Sequence, residues 1–338
     1  MKHFSQHGVG RRSLLAVAAG TLPFATVAVP AFAQGIAAGA WPERSVNLVV
    51  CFPPGGSTDL SARLLAPGLA EVLGKPVVIE NRGGAGGNIG IGMVARAAPD
   101  GYTFLIASSV FVVNASLYRN PPYDPFRDFA YVATIGAAPN VVAVRSQLGI
   151  NSFAELVTAV NADPDKFNAG VPGIGTTPHL AAEVLKLRTG MGYQIIPFAG
   201  AGPAVQAILA GTTQMLIASQ GGAVEIAYRS GQIKVLAQTG ATRGPDMQDI
   251  PTLAELGVSD AVSETFNALY APVATPAPIV ARMAEATLQV LRRPDVAARY
   301  RQGGVPVLAE GPDGLRARVA REVPIWRKVI QDAKISVE

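Results

Sequence analysis

Four glycine-rich segments recur along this chain, each between a strand-like run and a helix-like run. They are residues 53–59 (PPGGSTD), 83–88 (GGAGGN), 173–178 (GIGTTP) and 200–203 (GAGP). Small residues let a ligand approach the backbone, and the helix that follows presents unpaired amide groups with roughly half a positive charge. Such turns bind anions in α/β proteins. They also serve simply to connect a strand to a helix, and that interpretation stays open for any single turn.

The runs between these turns alternate in character. Strand-like runs are found at 45–51, 77–80 and 103–107, and helix-like runs at 58–73 and 88–97. This order predicts a parallel sheet with right-handed crossovers. A second block of the same kind follows residue 152. Because about 300 residues exceed what one core usually serves, we predict an α/β protein with two lobes, each a mostly parallel sheet flanked by helices.

The first 33 residues have the three parts of an export signal. Arg11 and Arg12 precede an Ala/Leu/Val-rich stretch that ends in AFA at 31–33. A basic head, an apolar middle and a small-x-small end predict cleavage after residue 33. The paired arginines resemble a twin-arginine signal, and Sec export is the alternative. An uncleaved membrane anchor is a competing interpretation, but glycine, threonine and proline residues make this stretch a poor spanning helix.

Charge, cysteine and histidine counts exclude several classes of protein. The chain has 28 Lys+Arg and 24 Asp+Glu residues; without the leader, 25 basic and 24 acidic residues leave a net charge of +1. No basic run suits a nucleic-acid partner. Cys51 is the only cysteine, and His179 is the only histidine beyond the leader. The sequence therefore excludes an intramolecular disulfide, a Cys-based zinc site and a multi-histidine metal site.

Enzyme signatures are weak in this sequence. It has no Gly-x-Ser-x-Gly elbow, and no Gly-Lys-Ser/Thr follows any of the four turns. Residues 90–95 (GIGMVA) match the dinucleotide fingerprint by letter but fall inside a predicted helix. A hydrolase using Ser57 or Ser109 with His179, and a nucleotide-binding Rossmann protein, are the rival interpretations. Since Ser57 and Asp59 are typical of a helix start, we predict no catalytic residue, no metal and no cofactor.

Several longer motifs together resemble one known family. They are CFPPGGSTD at 51–59, VIENRGGAGGNIG at 78–90, APDGYT at 98–103, YDPFRDF at 123–129, GIGTTPHL at 173–180 and IPTLAELG at 250–257. From about residue 41 to the C-terminus, the chain is similar to the Bug family, the extracytoplasmic solute receptors of tripartite tricarboxylate transporters. The resemblance implies a type II periplasmic binding protein that closes on its ligand like a flytrap. Residues 42–142 and 266–338 would form lobe 1, residues 143–265 would form lobe 2, and two crossing strands would be the hinge.

The resemblance also implies a ligand and a set of contacts. Members bind small carboxylates through main-chain amides and ordered waters. The implied contacts are Phe52, Gly55, Gly56, Ser57, Asp59, Gly86, Gly87, Asn88, Ser108 and Ser109 in lobe 1, with Thr176, Thr177, His179, Phe198 and Gly200 in lobe 2. The implied partners are the membrane permease subunits of such a transporter, or a sensor if the protein serves signalling. We expect a periplasmic monomer.

The sequence departs from the family pattern at four places. Cys51 stands where proline is usual, and Phe266 replaces a frequent tryptophan. IPFAG at 196–200 replaces a more usual Val-Pro-Tyr-Lys-Gly, which removes a hydroxyl and a lysine. ASQG at 218–221 lacks the Asp or Asn that often follows the strand. Three of these departures lie on the lobe 2 or hinge side, which tends to select the ligand.

Overall fold

The computed structural model describes residues 41–258 and 261–336, so the predicted leader lies outside the described residues. The strands are β1 (Val46–Val50), β2 (Val77–Asn81), β3 (Thr103–Ser108), β4 (Phe129–Arg145), β5 (Asn168–Val171), β6 (Gln194–Pro197), β7 (Met215–Ser219), β8 (Ile233–Gln238), β9 (Glu264–Pro272) and β10 (Val307–Glu310). The helices are α1 (Ser57–Leu73), α2 (Asn88–Ala95), α3 (Val110–Leu117), α4 (Phe153–Ala162), α5 (Thr177–Thr189), α6 (Ala201–Ala210), α7 (Ala223–Arg229), α8 (Ala277–Leu291), α9 (Pro294–Gln302) and α10 (Pro312–Asp332).

The first strands form the parallel arrangement that the sequence predicts. β1 lies between β2 and β3, with Leu48 opposite Ile79 on one side and Phe104 on the other. β9 runs antiparallel to β3, and residues 129–139 of β4 run antiparallel to β9. β10 pairs with the other edge of β4. We call these strands, with residues 129–139 of β4, the first half-sheet.

The second half-sheet repeats this plan. β5 lies between β6 and β7 and is parallel to both. Residues 140–145 of β4 lie between β7 and β8 and are antiparallel to both. β4 therefore changes partners between Pro139 and Asn140 and belongs to both half-sheets. Because β4 and β9 run against their neighbours, the sheet is mixed; its parallel pairs are those built by strand–helix–strand units.

Helices cover both faces of each half-sheet. In β1, Val49 faces one apolar cluster with α3 and α10, whereas Leu48 faces another with α1 and α8. In β4, Val142 packs with α4 and α5, and Val141 packs with α6 and α7. Strands buried on both faces are apolar throughout, which explains the long uncharged runs in the sequence. No helix in the described part of the chain combines the length and apolar character needed to cross a bilayer.

Candidate functional site

The first and fourth glycine-rich turns meet across the boundary between the half-sheets. A Cβ atom added to Gly55, which has a φ of +101°, would lie 3.4 Å from the Gly202 Cα. One added to Gly56 would lie 3.5 Å from the Ala201 Cβ. The start of α1 in the first half therefore lies against the start of α6 in the second. A side chain at Gly55 would meet both the strained φ and this close approach.

The second and third turns meet in the same way. A Cβ atom added to Gly86 would collide with the carbonyl oxygen of Ile174, and one added to Gly175 would collide with the Asn114 side chain. Gly86 has a φ of +60° and Gly175 a φ of +79°. The structure thus brings all four turns together as two facing pairs, with one member of each pair from each half.

A small cavity lies between the first, third and fourth turns. Its lining residues are Phe52, Gly56, Ser57, Thr58, Ser108, Pro172, Thr176, Ala201, Ser219 and Thr265. The space that the centre of a water molecule can reach inside it is about 40 Å³. The lining carries hydroxyl groups and backbone but no charged side chain. Two larger grooves, of about 490 and 640 Å³, lie elsewhere against α10, and none of the four turns contributes a lining residue to either.

The start of α1 faces this cavity with free amide groups. The helix begins at Ser57 after Gly56, and no side chain caps it. Its first backbone bond within the helix is from Leu60 N–H to the Gly56 carbonyl, so the preceding amides have no partner within the helix. Ser57 and Thr58 are both buried and line the cavity. Amides and the helix dipole together make this end attractive to an anion.

Asp59 holds the turn before α1 in shape. Its Oδ2 accepts hydrogen bonds from the Gly55 amide at 3.0 Å and from Arg63 Nε at 2.9 Å. Its Oδ1 accepts one from Asn81 Nδ2 at 3.0 Å, and Asn81 also donates to the Phe52 carbonyl. Asp59 thus holds the turn before α1, but the capping role that its position and that of Ser57 suggest is wrong, because Gly56 is the N-cap and no side chain caps the helix. All hydrogen-bond partners of the Asp59 carboxylate belong to the protein, and Asp59 does not line the cavity.

The start of α5 approaches the cavity from the other side. Thr176 caps the helix by accepting the His179 amide at 3.2 Å, and Thr176 also lines the cavity. The hydroxyls of Thr177 and Thr265 are 2.6 Å apart, and Thr265 donates to Asn140 Oδ1 at 2.8 Å. This chain of hydrogen bonds ties α5 to β9 and to β4 at the residue where β4 changes partners.

Several predicted contact residues lie outside the lining. The Ser109 hydroxyl accepts the Phe266 amide at 2.9 Å and donates to the Glu264 carbonyl, so it joins α3 to β9. Asn88 Oδ1 accepts from Asn114 Nδ2 at 3.0 Å, and Asn114 also donates to the Gly86 carbonyl. These groups bond to the protein itself. Gly87, Phe198 and Gly200, which were predicted as well, do not line the cavity either.

His179 and Cys51 have the properties of buried structural groups. Burial lowers the pKa of His179 to about 4, and its Nδ1 has no hydrogen-bond partner among residues 41–258 and 261–336. Its Nε2 lies 3.8 Å from Glu183 Oε1. Cys51 is fully buried in the core. That burial raises the pKa of its thiol to about 12, which leaves it a poor nucleophile. Within the described residues, no hydrogen bond joins His179 to Ser57 or Ser109, the arrangement that a hydrolase would require.

Five lining residues were absent from the predicted contacts: Thr58, Pro172, Ala201, Ser219 and Thr265. Thr58 and Ala201 lie within two of the predicted glycine-rich turns. The sequence therefore indicated these turns as ligand contacts but did not indicate these two residues. Thr265 lies on β9, whose short aromatic and apolar run in ETFNALYAP could have indicated a buried strand. Among the described residues, no group of three or more His, Cys, Asp or Glu side chains could hold a metal ion.

Sequence and structure comparisons agree with this architecture. Residues 61–335 match the family model described as tripartite tricarboxylate transporter family receptor. Protein BugT of Bordetella pertussis is 35% identical over 309 residues, which cover 90% of this chain and 94% of BugT. The structure of the periplasmic binding protein BugD is 34% identical with a TM-score of 0.84, and the match covers 88% of this chain and 99% of that one.

Two further solved structures hold named ligands. R. palustris Rpa4515 with adipate is 34% identical with a TM-score of 0.84, over 88% of this chain and 99% of that one. MatC (Rpa3494) from Rhodopseudomonas palustris with bound malate is 31% identical with a TM-score of 0.81, over 86% of this chain and all of that one. The fold is therefore that of a two-lobed periplasmic binding protein. The chain belongs to the tripartite tricarboxylate transporter receptor family, the Bug family of periplasmic solute-binding proteins, which are receptors rather than enzymes.

Proposed function

We propose that this protein captures a small organic carboxylate in the cavity between the half-sheets and delivers it to the membrane permease of a tripartite tricarboxylate-type transporter. The observation that carries the proposal is the meeting of helix starts around a cavity whose lining has no charged side chain. Amide groups and hydroxyls are the donors left to bind an anion there. The adipate and malate bound by two relatives support the ligand class.

In this proposal the carboxylate oxygens accept hydrogen bonds from the first-turn amides of α1 and from the Thr177 amide at the start of α5. The Thr176 hydroxyl is not the donor there, because it already donates to the Gly173 carbonyl and accepts the His179 amide. The Phe52, Gly56, Ser57, Ser108 and Thr176 contacts expected from the sequence belong to this lining. Gly55 and Asp59 shape the turn, and Gly86 and Gly200 permit the close approach of the two halves. Binding would then depend on backbone geometry rather than on lysine or arginine side chains.

The proposed mechanism is closure about β4 and β9. Residues 42–142 and 266–338 would move as one lobe against residues 143–265, and both strands cross those boundaries. Contacts between the halves support a closed conformation here: Ala223 N–H donates to the Gly55 carbonyl, and Gly222 N–H donates to the Gly303 carbonyl, both at 3.1 Å. Arg301 also bridges to both carboxylate oxygens of Asp246. A ligand that binds both halves favours this state over an open one.

We propose export through the leader at 1–33 and action as a monomer in the periplasm. The closed receptor would then present a surface formed by both lobes to the permease. Only a closed, loaded receptor would have the two lobes in the arrangement that the permease binds, so ligand capture and delivery would be coupled. Closure in this scheme requires no catalytic step, metal or cofactor.

The ligand class can be tested with a panel of mono- and dicarboxylates. Thermal unfolding and titration calorimetry of the mature protein should identify at least one acid that stabilises it. At a free concentration of 100 times the dissociation constant, one site adds about 2.7 kcal/mol. Mass spectrometry of small molecules released from freshly purified, denatured protein gives an independent identification. A complete lack of melting shift and of binding heat across the panel would refute the carboxylate proposal.

A further inference from the structure

Two buried polar side chains next to the cavity lining are not used by the function proposed above. Asn267 on β9 is 0% exposed, and neither its Nδ2 nor its Oδ1 has a hydrogen-bond partner among the described residues. Ser61 on α1 is equally buried, and its hydroxyl also lacks a partner there. Polar groups buried without partners destabilise a protein. Two such groups on neighbouring elements next to one cavity are available to a ligand that enters it.

Strand geometry places Asn267 next to the lining of the cavity, although it is not itself a lining residue. Side chains two residues apart on a strand share a face, so Asn267 lies on the same face as Thr265, which lines the cavity. Ser108, another lining residue, pairs in register with Asn267 across β3 and β9. In-register neighbours have Cβ atoms roughly 5 Å apart. Further along the same face, Ile106 and Leu269 belong to the apolar cluster that contains residues of α1.

Helix geometry places Ser61 opposite this face. Ser57 and Thr58 line the cavity, and positions three and four residues later on a helix lie on the same side. Ser61 is therefore one turn further along the side of α1 that borders the cavity. α1 packs against β3 and β9. Ser108 lines the cavity, and Ser61 and Asn267 adjoin that lining. We call these three residues the polar floor.

We propose that the polar floor, with Asn267 at its centre, is a specificity subsite for an uncharged hydrogen-bonding group at the far end of the ligand. A carboxamide side chain offers a donor and an acceptor together. A hydroxyl or carboxamide on the ligand can satisfy both, whereas a second carboxylate offers only acceptors and would face Asn267 Oδ1 unfavourably. No charged side chain in the described lining compensates a second negative charge. The preferred ligands are thus hydroxy acids or acid amides rather than simple dicarboxylates.

This inference rests on the proposed function, because it takes the ligand's carboxylate to lie at the helix starts. It is tested with matched acids near neutral pH by titration calorimetry. The series is succinate, glutarate and adipate, the ω-hydroxy acids of the same chain lengths, and the corresponding monoamides. For at least one length, we expect the hydroxy acid or monoamide to bind roughly tenfold or more tightly than the dicarboxylate, because an unpaired polar group in the site penalises the wrong ligand.

Asn267→Leu should abolish this preference without lowering the melting temperature of the free protein, because it removes buried atoms that have no partner. Thr287→Val is the matched control: Thr287 is fully buried with an unpartnered hydroxyl, but it lies on α8, and no residue of that helix lines the cavity. It should leave the preference unchanged. Ser61→Ala is a milder second variant, expected to reduce the preference about threefold, and it serves if Asn267→Leu does not fold.

The outcomes separate this inference from the proposed function. Tighter binding of the dicarboxylate at every length, or an unchanged preference in Asn267→Leu, overturns the subsite while leaving carboxylate capture intact. An equal loss of preference in Thr287→Val assigns the effect to general packing and also overturns it. If the wild-type protein binds no acid of the series, the proposed function fails, and the subsite fails with it.

Discussion

α1 and α2 follow neighbouring strands through similar glycine-rich turns, but their starts have different surroundings. α1 begins beside the cavity, and the preceding turn is held by a hydrogen bond from the Gly55 amide to Asp59, which does not line the cavity. The turn before α2 packs against α3 instead, because the Asn114 side chain donates hydrogen bonds to the Gly86 carbonyl and to Asn88 Oδ1. The difference follows from strand order: β1 is central, between β2 and β3, whereas β2 is the first strand of the order. The same local sequence pattern therefore forms a binding turn in one place and a packing turn in another.

The largest expected effect is at the binding turn. Asp59→Ala removes a buried carboxylate with three hydrogen-bond partners and leaves the Gly55 amide without its acceptor. We expect the free energy of unfolding to fall by about 3 kcal/mol and the carboxylate affinity to fall with it. Asp332→Ala is the control, because its ion pair with Lys328 is exposed and contributes about 0.5 kcal/mol or less. Urea denaturation measures both; equal losses would contradict the anchoring role.

The start of α5 reaches the cavity from the second half, and its first turn carries the buried imidazole of His179. The pKa of His179 is lowered to about 4 by burial, against 6.5 ordinarily. Between these values the unfolded chain binds a proton that the folded protein does not, so this part of the stability is present above pH 6.5 and is lost as the pH falls toward 4. The loss should be about 2 kcal/mol between about pH 7 and pH 5.

His179→Asn tests this expectation, since an amide keeps a polar group there and does not titrate. Glu183 is the acidic group recorded near the imidazole, and Glu183→Gln controls for its contribution. Denaturation of the three proteins as a function of pH should give a shallower acid dependence for His179→Asn alone. Parallel curves for His179→Asn and the wild type would show that His179 is not the group responsible.

A smaller effect is expected at the packing turn. Asn88→Ala removes one buried hydrogen bond to Asn114, so the free energy of unfolding should fall by about 1 kcal/mol. The ligand affinity should stay within about twofold, because Asn88 does not line the cavity. Calorimetry with the identified acid checks the second point. A large loss of affinity would break the comparison by placing the second turn at the ligand, as the family resemblance first implied.

The smallest change in stability is expected for Ser57→Ala. The Ser57 side chain lines the cavity, and alanine keeps the helix start intact. We expect the free energy of unfolding to change by about 0.5 kcal/mol or less, while the ligand affinity falls roughly threefold through loss of one hydroxyl contact. Melting and calorimetry on the same sample separate the two. A fall in stability with unchanged affinity would reverse the roles assigned to the α1 and α2 starts.

Much of the fold follows from local patterns. The predicted strands at 45–51, 77–80 and 103–107 correspond to β1, β2 and β3, and the predicted helices at 58–73 and 88–97 correspond to α1 and α2. Alternating strands and helices are encoded within short windows, so periodicity and turn residues reveal them. The partner change within β4 was not visible, because it depends on which distant strands flank each part of one continuous run.

The site was predictable as a set of turns but not as a set of side chains. Phe52, Ser57 and Thr176 line the cavity because they stand at the turns themselves. Ser109 and Asn88 also stand beside turns, yet they bond to β9 and to α3. Their bonding partners are far away in sequence, so only the folded arrangement decides which turn residues remain free for a ligand.

A crystal structure of the mature protein with its captured acid tests the central claim most directly. The account predicts carboxylate oxygens within hydrogen-bond distance of the first-turn amides of α1 and of the Thr177 amide at the start of α5, with no lysine or arginine side chain in contact. An acid held chiefly by cationic side chains, or bound in the grooves along α10 instead of between the half-sheets, would contradict it.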